Sequence, residues 1–434
     1  MKSRVLKVTG INHEDLFSSS FNGLSIRDEL AKKQISYNLL SDVNYRDKRM
    51  NFTPPIFKAI RSVLAKFEYK TGFQARVYFY TSLLAFRTFF RKSDVIHYHI
   101  LHNNYFRLES LRFLTRKKPS LWTIHDLWLV TGHCIQPLDC SQWINGCGNC
   151  PDLVRTIPVD RDRTRQERKR KQRIVDSIDM EFHVSTEFMR KNLLMTSSIK
   201  PERIHVVPFG VNQEIFHPDE VSRHDMRQSL GINAEDFVIF VNARNDYIKG
   251  IDIVKSLVNS IDSQKNLKII AIDQGRLFMK NPRVISIPTI DEPMKMASFM
   301  RSSDLTLVPS RGESFSLITL ESMASGTPVL VLEGSAPQEV SGAHANFVFS
   351  KSDSVNSCEE RILYLSRNRE ILAIEKKRIL KMVDEKYSLT MYAEQMSELY
   401  RKVETLFLQK PRKNINIFFN FEFFLRKLGL PKRR

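Results

Sequence analysis

The feature that most constrains this chain is an alternation, sustained over almost its whole length, of short apolar runs and longer helical stretches. In the first half the runs are Val5–Thr9, Tyr37–Leu40, Val95–His99, Leu121–Ile124, Phe182–Ser185 and His205–Pro208. In the second half they are Phe237–Asn242, Leu267–Ile272, Val284–Ile287, Leu305–Pro309, Val329–Leu332 and Phe347–Phe349. These runs are rich in Val, Ile and Phe and lack strict polar alternation, which suits strands buried on both faces of a parallel sheet. Strands alternating with helices predict an α/β fold. A chain of 434 residues exceeds what one ordinary core supports, so two domains are expected. The boundary falls at Pro208-Phe-Gly-Val-Asn212, followed by Phe216-His-Pro218. The expected units are therefore residues 1–208, with a cysteine-rich insert at 131–151, residues 209–405, and a basic aromatic tail at 406–434.

A hydrophobic fraction of 42% with 26% charged residues is that of a globular protein. No window approaches the roughly 18–20 apolar residues of a membrane-spanning helix, and the basic start Met1–Val8 has no apolar stretch of the signal-peptide kind. A cytoplasmic protein, soluble or peripheral on a membrane surface, is expected. Lys and Arg outnumber acidic residues 67 to 48, a net charge of +19, which attracts nucleic acid, anionic lipid or phosphorylated ligands without choosing among them. The run Arg155–Arg173 holds nine basic and three acidic residues and no aromatic one, and reads as a solvated helix. The tail mixes Ile415, Phe418, Phe421, Phe424 and Leu425 with Lys410, Arg412, Lys413, Arg426 and Lys427. That mixture suits either an interfacial helix on anionic lipid or packing onto the core; Phe67–Arg91 has a comparable composition.

Two segments carry the candidate chemistry. Asp304–Ser310 reads as a buried strand entering the loop Arg311-Gly-Glu313-Ser314-Phe315-Ser316, then the helix Leu317–Ala324. Leu317, Leu320 and Ala324 share one helical face, Ser314 or Ser316 is placed to cap it, and Gly326 with Pro328 stops it. Glu321 thus sits on a mostly apolar helix, where an unpaired carboxylate is costly. Either a buried Arg accepts it, or ligand hydroxyls do. The first turn of the same helix offers amides and a positive dipole end to a phosphate. The second segment follows the strand Phe237–Asn242: Arg244-Asn-Asp-Tyr-Ile-Lys249-Gly250. In parallel sheets ligands collect beyond the carboxyl ends of strands, and an Arg with a Lys suits a diphosphate.

Glu313 and Glu321 with seven residues between, followed by Ala324-Ser-Gly-Thr-Pro328, resemble the signature of the group 1 (family 4) retaining glycosyltransferases. Arg244 with Lys249-Gly250 is similar to that family's Arg-x4-Lys-Gly element. Pro208–Asn212 resembles its inter-domain segment, and Thr123-Ile-His125-Asp126 its His-Asp strand end. The resemblance spans about residues 1–405 and is loosest over the first 90. It implies a GT-B architecture, two Rossmann-like domains facing a cleft, with the first on the acceptor side and the second binding the donor nucleotide. It further implies that Glu321 binds the nucleotide ribose. Glu313, with Ser314, Phe315, Ser316 and Leu317 around it, would meet the transferred sugar. Arg244 and Lys249 would hold the diphosphate and stabilise the charge that develops on it. His125 would contact the donor sugar. The reaction would proceed with retention and without a catalytic metal, from a UDP- or GDP-linked sugar to a glycan or lipid-linked acceptor, in bacterial surface polysaccharide synthesis. Asp160-Arg-Asp162 has the spelling of a metal-binding Asp-x-Asp but lies in the basic run, and reads as surface.

Gly23, ahead of a helix expected at Leu24–Ala31, is the candidate for the acceptor loop, although the family often has two adjacent glycines there. His97 and His99 lie on one face of a strand; cleft-lining or structural roles are preferred over a metal pair, because no third ligand stands at a telling spacing. Cys134, Cys140, Cys147 and Cys150 fall within seventeen residues, with His133 beside them. A structural zinc, two disulfides and free thiols are the alternatives, in that order. The stretch resembles one in a capsule- and exopolysaccharide-type branch of the same family, which implies that it buttresses the His125 loop. Cys358 reads as a core residue. The rival functions are a sugar-nucleotide epimerase on the same fold and a basic nucleic-acid-binding protein. No recognisable motif supports the latter, and nucleic acid is not expected as a partner.

Overall fold

The computed structural model describes residues 4–14, 23–43, 52–155, 157–260, 266–290 and 292–410. Two parallel six-stranded sheets organise it. The first contains β1 (Leu6–Glu14), β2 (Ile35–Val43), β3 (Val95–Tyr98), β4 (Ser120–Thr123), β5 (Glu181–Val184) and β6 (Ile204–Val206), in the order β2-β1-β3-β4-β5-β6. The second contains β7 (Phe237–Asn242), β8 (Leu267–Ile272), β9 (Val284–Ile287), β10 (Leu305–Val308), β11 (Val329–Leu332) and β12 (Val348–Phe349), in the order β12-β11-β10-β7-β8-β9. Each expected run is a strand, and every residue of β3, β4, β5, β10 and β11 is buried. Burial on both faces is why these strands appear in the sequence as continuous apolar runs. The first sheet reverses its direction of winding between β1 and β3, the second between β7 and β10. Crevices open above strand ends at such points.

The chain crosses between the sheets twice, and the crossings touch. Val211 N–H donates to Tyr387 O at 2.8 Å. A Cβ on Gly210 would lie 2.7 Å from Ser388 O, so only glycine admits that approach. The last helix, Leu389–Gln409, returns to the first sheet and buries Tyr392, Met396, Tyr400 and Val403. Its Tyr400 hydroxyl bonds His97 Nδ1 at 2.9 Å, and the ring stacks on Tyr37 at 6.5 Å. His97 Nε2 meets Thr123 Oγ1 at 2.6 Å, while His99 meets Tyr37 OH at 3.1 Å. Burial drives both histidines well below their ordinary pKa. Neutral and fully engaged, they are structural. The helix reaches into the expected tail, and residues 411–434 lie outside the described ones. No helix among the described residues is long and apolar enough to cross a membrane.

The basic run departs from expectation. Its helix, Thr164–Val175, is not solvated all round, because Glu167, Arg168 and Lys171 are buried. Lys171 Nζ donates to Trp128 O at 2.6 Å and stands 3.8 Å from the centre of the Trp128 ring. A carbonyl and an aromatic face thus accept the ammonium, although burial lowers its pKa to about 7. Glu167 pairs with Arg76 at 2.5 Å and with Arg170 at 3.2 Å. Asp160 and Asp162 are exposed, as expected.

Candidate active site

The switch point of the second sheet gathers both donor-site segments. Arg244–Lys249 leave the end of β7, Arg311–Ser316 follow β10, and these two strands are neighbours. Lys249 Nζ pairs with Glu313 Oε1 at 2.6 Å, with both side chains largely covered. Gly250 holds this arrangement by a left-handed turn at φ 76, where a Cβ would lie 2.3 Å from Pro309 O. Gly250→Ala is therefore expected to destabilise the protein by about 1–3 kcal/mol, the usual cost of such strain, and to displace Lys249. A lowered melting midpoint, together with reduced turnover, checks this. Arg244 stands exposed on the same loop, and its guanidinium makes no ion pair among the described residues.

The helix Leu317–Ala324 begins at Ser316, whose φ is 84 and whose side chain caps nothing. Here the structure corrects the expected serine cap: the left-handed backbone turns the hydroxyl to accept from Thr319 at 2.9 Å instead. No side chain caps the first turn, so its amides remain available to an anion. One turn further, Glu321 faces a cavity of about 400 Å³ lined also by Gly210, Asn212, Ile290, Met296 and Leu317. Among the described residues no Arg or Lys reaches it and its carboxyl forms no hydrogen bond. Burial alone pushes its pKa up to about 8. Arg244, Lys249, Glu313 and His125 lie outside this cavity, beyond the helix start that Leu317 marks.

His125 reaches the second domain through an aromatic stack. Its ring lies nearly parallel to Phe209 at 6.1 Å, and Phe209 meets the Phe315 edge at 5.1 Å. His125 Nε2 also contacts His99 Nδ1 at 3.2 Å; burial and then His99 lower its pKa well below the ordinary value. Asp126 turns away, pairing with His102 at 2.8 Å and capping the turn at Trp128. Two further contacts tie the domains together at the site. Thr186 Oγ1 donates to Ser314 O at 2.8 Å. Glu339 accepts the Glu187 and Phe188 amides, both at 2.7 Å, at the start of a helix of the first domain. Phe209, Thr186 and Glu339 were not legible as site residues. Phe209 alone carried a signal, as the centre of the inter-domain motif. Gly23 is buried against Tyr37, and residues 15–22 preceding it lie outside the described ones.

The cysteine-rich insert lies between the two halves of the site. Leu127 N–H, two residues past His125, donates to Ile135 O at 2.9 Å, and Gln136 lies against Gly312. Cys134, Cys140, Cys147 and Cys150 line one small cavity with His133. All are free thiols. Burial raises Cys134 to about 12 and pushes Cys147 and Cys150 upward. Among the described residues no group of three His, Cys, Asp or Glu side chains is placed to hold a metal ion. Cys358 is buried in the core, as expected.

Comparison with known proteins bears first on the fold. The structure resembles sucrose-phosphate synthase from Thermosynechococcus elongatus, with a TM-score of 0.64 and 16% identity over 92% of this chain and 100% of that one. It also resembles Anabaena HepE in complex with UDP-glucose, with a TM-score of 0.61 and 14% identity over 92% and 100%. WaaG, a glycosyltransferase involved in lipopolysaccharide biosynthesis, gives 0.59 and 12% over 91% and 99%. At such identities the likeness fixes the fold: two Rossmann-like domains in the GT-B arrangement. Residues 222–381 match the family described as Glycosyl transferases group 1. D-inositol 3-phosphate glycosyltransferase of Mycobacterium tuberculosis is 25% identical over 265 residues, covering 58% of this chain and 51% of that protein. The chain thus spans about half the length of the curated relatives it matches.

Proposed function

We propose that this protein is a glycosyltransferase that moves a sugar from a nucleoside diphosphate to a hydroxyl acceptor, with retention of anomeric configuration. The observation that carries the reading is Glu321, a carboxyl turned into a cavity with no partner among the described residues. A nucleotide ribose supplies two hydroxyls to such a group, and each hydrogen bond to a charged acceptor contributes about 1.5–3 kcal/mol. The diphosphate then lies toward the uncapped helix start, with Arg244 and Lys249 beside it. Glu313 is held by Lys249 near the transferred sugar. As the glycosidic bond breaks, negative charge grows on the departing diphosphate, and the Lys249 ammonium stabilises it. The acceptor hydroxyl attacks on the face that the leaving group vacates and passes its proton to a phosphate oxygen. His125, neutral and fixed against Phe209, offers a hydrogen bond to the sugar from the first domain. No step uses a metal.

UDP or GDP is the proposed carrier. A glycan or lipid-linked oligosaccharide is the proposed acceptor, in surface polysaccharide synthesis at the cytoplasmic face of a membrane. Melting curves with UDP, GDP, ADP and RNA, followed by an assay of nucleotide release, test the reading. One nucleoside diphosphate is expected to raise the midpoint, and its sugar conjugate to release it in an acceptor-dependent manner. Stabilisation by RNA alone would overturn the proposal, as would interconversion of the sugar nucleotide without release, the outcome of an epimerase.

A further inference from the structure

The helix Pro55–Thr71 of the first domain is built unlike the helices of the core. Its inward row is Phe57, Arg61, Leu64 and Glu68, spaced as one helical face, and half of that row is charged. Glu68 is its single fully buried residue. The protein meets both charges with dedicated partners. Glu68 accepts the amides of Arg76 at 2.7 Å and Ala75 at 3.1 Å. Arg61 pairs with Asp42 and donates to Asn103 O at 3.1 Å.

The neighbouring row is apolar and faces outward: Ile56, Ile60, Val63 and Phe67 are 66%, 40%, 65% and 50% exposed. The following 3-10 helix, Phe79–Phe86, continues the pattern, with Phe79, Leu83 and Phe86 at 58%, 60% and 68% exposure. Phe57 and Tyr80, in ring contact at 4.5 Å, join the two elements. Seven large apolar side chains on one module exceed the single exposed hydrophobes normal for a soluble surface.

The charge around them is mainly positive, with Lys70 also meeting the exposed Asp160 at 3.3 Å. Lys58, Lys66, Lys70, Arg87, Arg91 and Lys92 are exposed, while the sole acidic residue between Phe52 and Ser93 is the buried Glu68. Exposed aliphatic side chains ringed by cations match the acyl boundary and headgroups of an anionic bilayer. A nucleic-acid platform would instead stack bases on aromatics, and Ile56, Ile60, Val63 and Leu83 cannot do so.

We propose that this module is a docking surface for anionic phospholipid, seating the first domain on the membrane. It names the surface for the peripheral location set out under the proposed function, and rests on that reading only for the benefit of the arrangement: an acceptor embedded in the bilayer is then delivered to the first domain's side of the cleft.

Co-sedimentation of the full chain with phosphatidylcholine vesicles, with and without about one third phosphatidylglycerol, tests the surface; each lysine near an anionic membrane contributes about fivefold in binding. Binding is expected only with the anionic lipid. Ile60→Glu with Val63→Glu is expected to lower it at least about tenfold, and Lys66→Gln with Lys70→Gln by about twenty-fivefold, the product of two such factors. All four positions are exposed, so unchanged melting curves and nucleoside diphosphate binding confirm that the fold and donor site persist. Three results would overturn the proposal. One is no binding to anionic vesicles; another is equal binding by both variants, which would assign any membrane affinity to residues 411–434. The third is self-association of the wild-type chain in sedimentation that Ile60→Glu with Val63→Glu abolishes, marking the face as a contact between copies. Donor binding is read separately, so failure of the surface and failure of the transferase reading are distinguishable.

Discussion

Lys249→Ala is expected to lower kcat by about 10²–10³-fold, the cost of removing one preorganised group aimed at charge that develops in the transition state. Two consequences of the structure make the effect large. The ammonium stands where β7 ends at the switch point, beside a loop that presents it to the proposed diphosphate. It also holds Glu313 Oε1 at 2.6 Å, so its loss leaves a largely covered carboxylate unpaired beside the sugar. The KM for the donor should change far less than kcat, because the interaction strengthens mainly as the bond breaks. Glu313→Gln keeps the shape of that side chain and removes its charge. It separates the two contributions: if most of the Lys249→Ala effect arises from an orphaned Glu313, the double variant recovers activity. A kcat within threefold of wild type in Lys249→Ala would remove this residue from the mechanism.

Glu321→Gln is expected to act in opposite directions on stability and on binding. Burial raises this carboxyl from its ordinary 4.5 to about 8. Between those values the folded state binds a proton that the unfolded chain does not. Stability therefore falls as pH rises from about 4.5 to about 8, and the loss is complete above the folded value. A glutamine cannot ionise, so the variant escapes that loss. At pH 8 its unliganded melting midpoint should exceed that of wild type by a few degrees, since ~1 kcal/mol moves a domain of this size by about 2–4 °C. Donor binding should behave the opposite way. The ionised carboxylate is the form that accepts two ribose hydroxyls, so wild-type affinity should rise with pH up to about 8 and then level off. The glutamine variant should bind more weakly and show no such rise. Calorimetric melting and nucleotide titration across pH 6 to 9 read both effects. A variant no more stable than wild type at pH 8 would show that burial does not disfavour the ionised form of Glu321.

The strands were legible because each is buried on both faces, which leaves an uninterrupted run of Val, Ile and Phe such as Phe237–Asn242. Glu321 was legible for a related reason: a carboxylate in an otherwise apolar helix contradicts its surroundings. What stayed hidden depends on contacts between distant parts of the chain. Thr186 is 128 residues from Ser314, to which it donates, and nothing near either residue marks the pair. Lys171 read as solvated because its neighbours are basic; its burial follows from Trp128, which only the tertiary fold brings over it. The helix Pro55–Thr71 shows the same limit in reverse. Its sequence contains an apolar row that ordinarily faces a core, and the fold turns a row with Arg61 and Glu68 inward instead. The cysteines at 134, 140, 147 and 150 have metal-like spacing, and the fold gathers all four around one small cavity, with left-handed turns at Cys147 and Asn149.

The central claim is that Glu321 receives the ribose of a nucleotide donor, and a cycle of two proteins and two ligands tests it most directly. The ligands are the nucleoside diphosphate that stabilises the protein and its 2′,3′-dideoxy analogue; the proteins are wild type and Glu321→Gln. Wild type is expected to prefer the natural ligand by about 100-fold, since two hydrogen bonds to a charged group are lost together. In Glu321→Gln that preference should shrink to within a few fold. Equal discrimination by both proteins would place the ribose elsewhere and contradict the account.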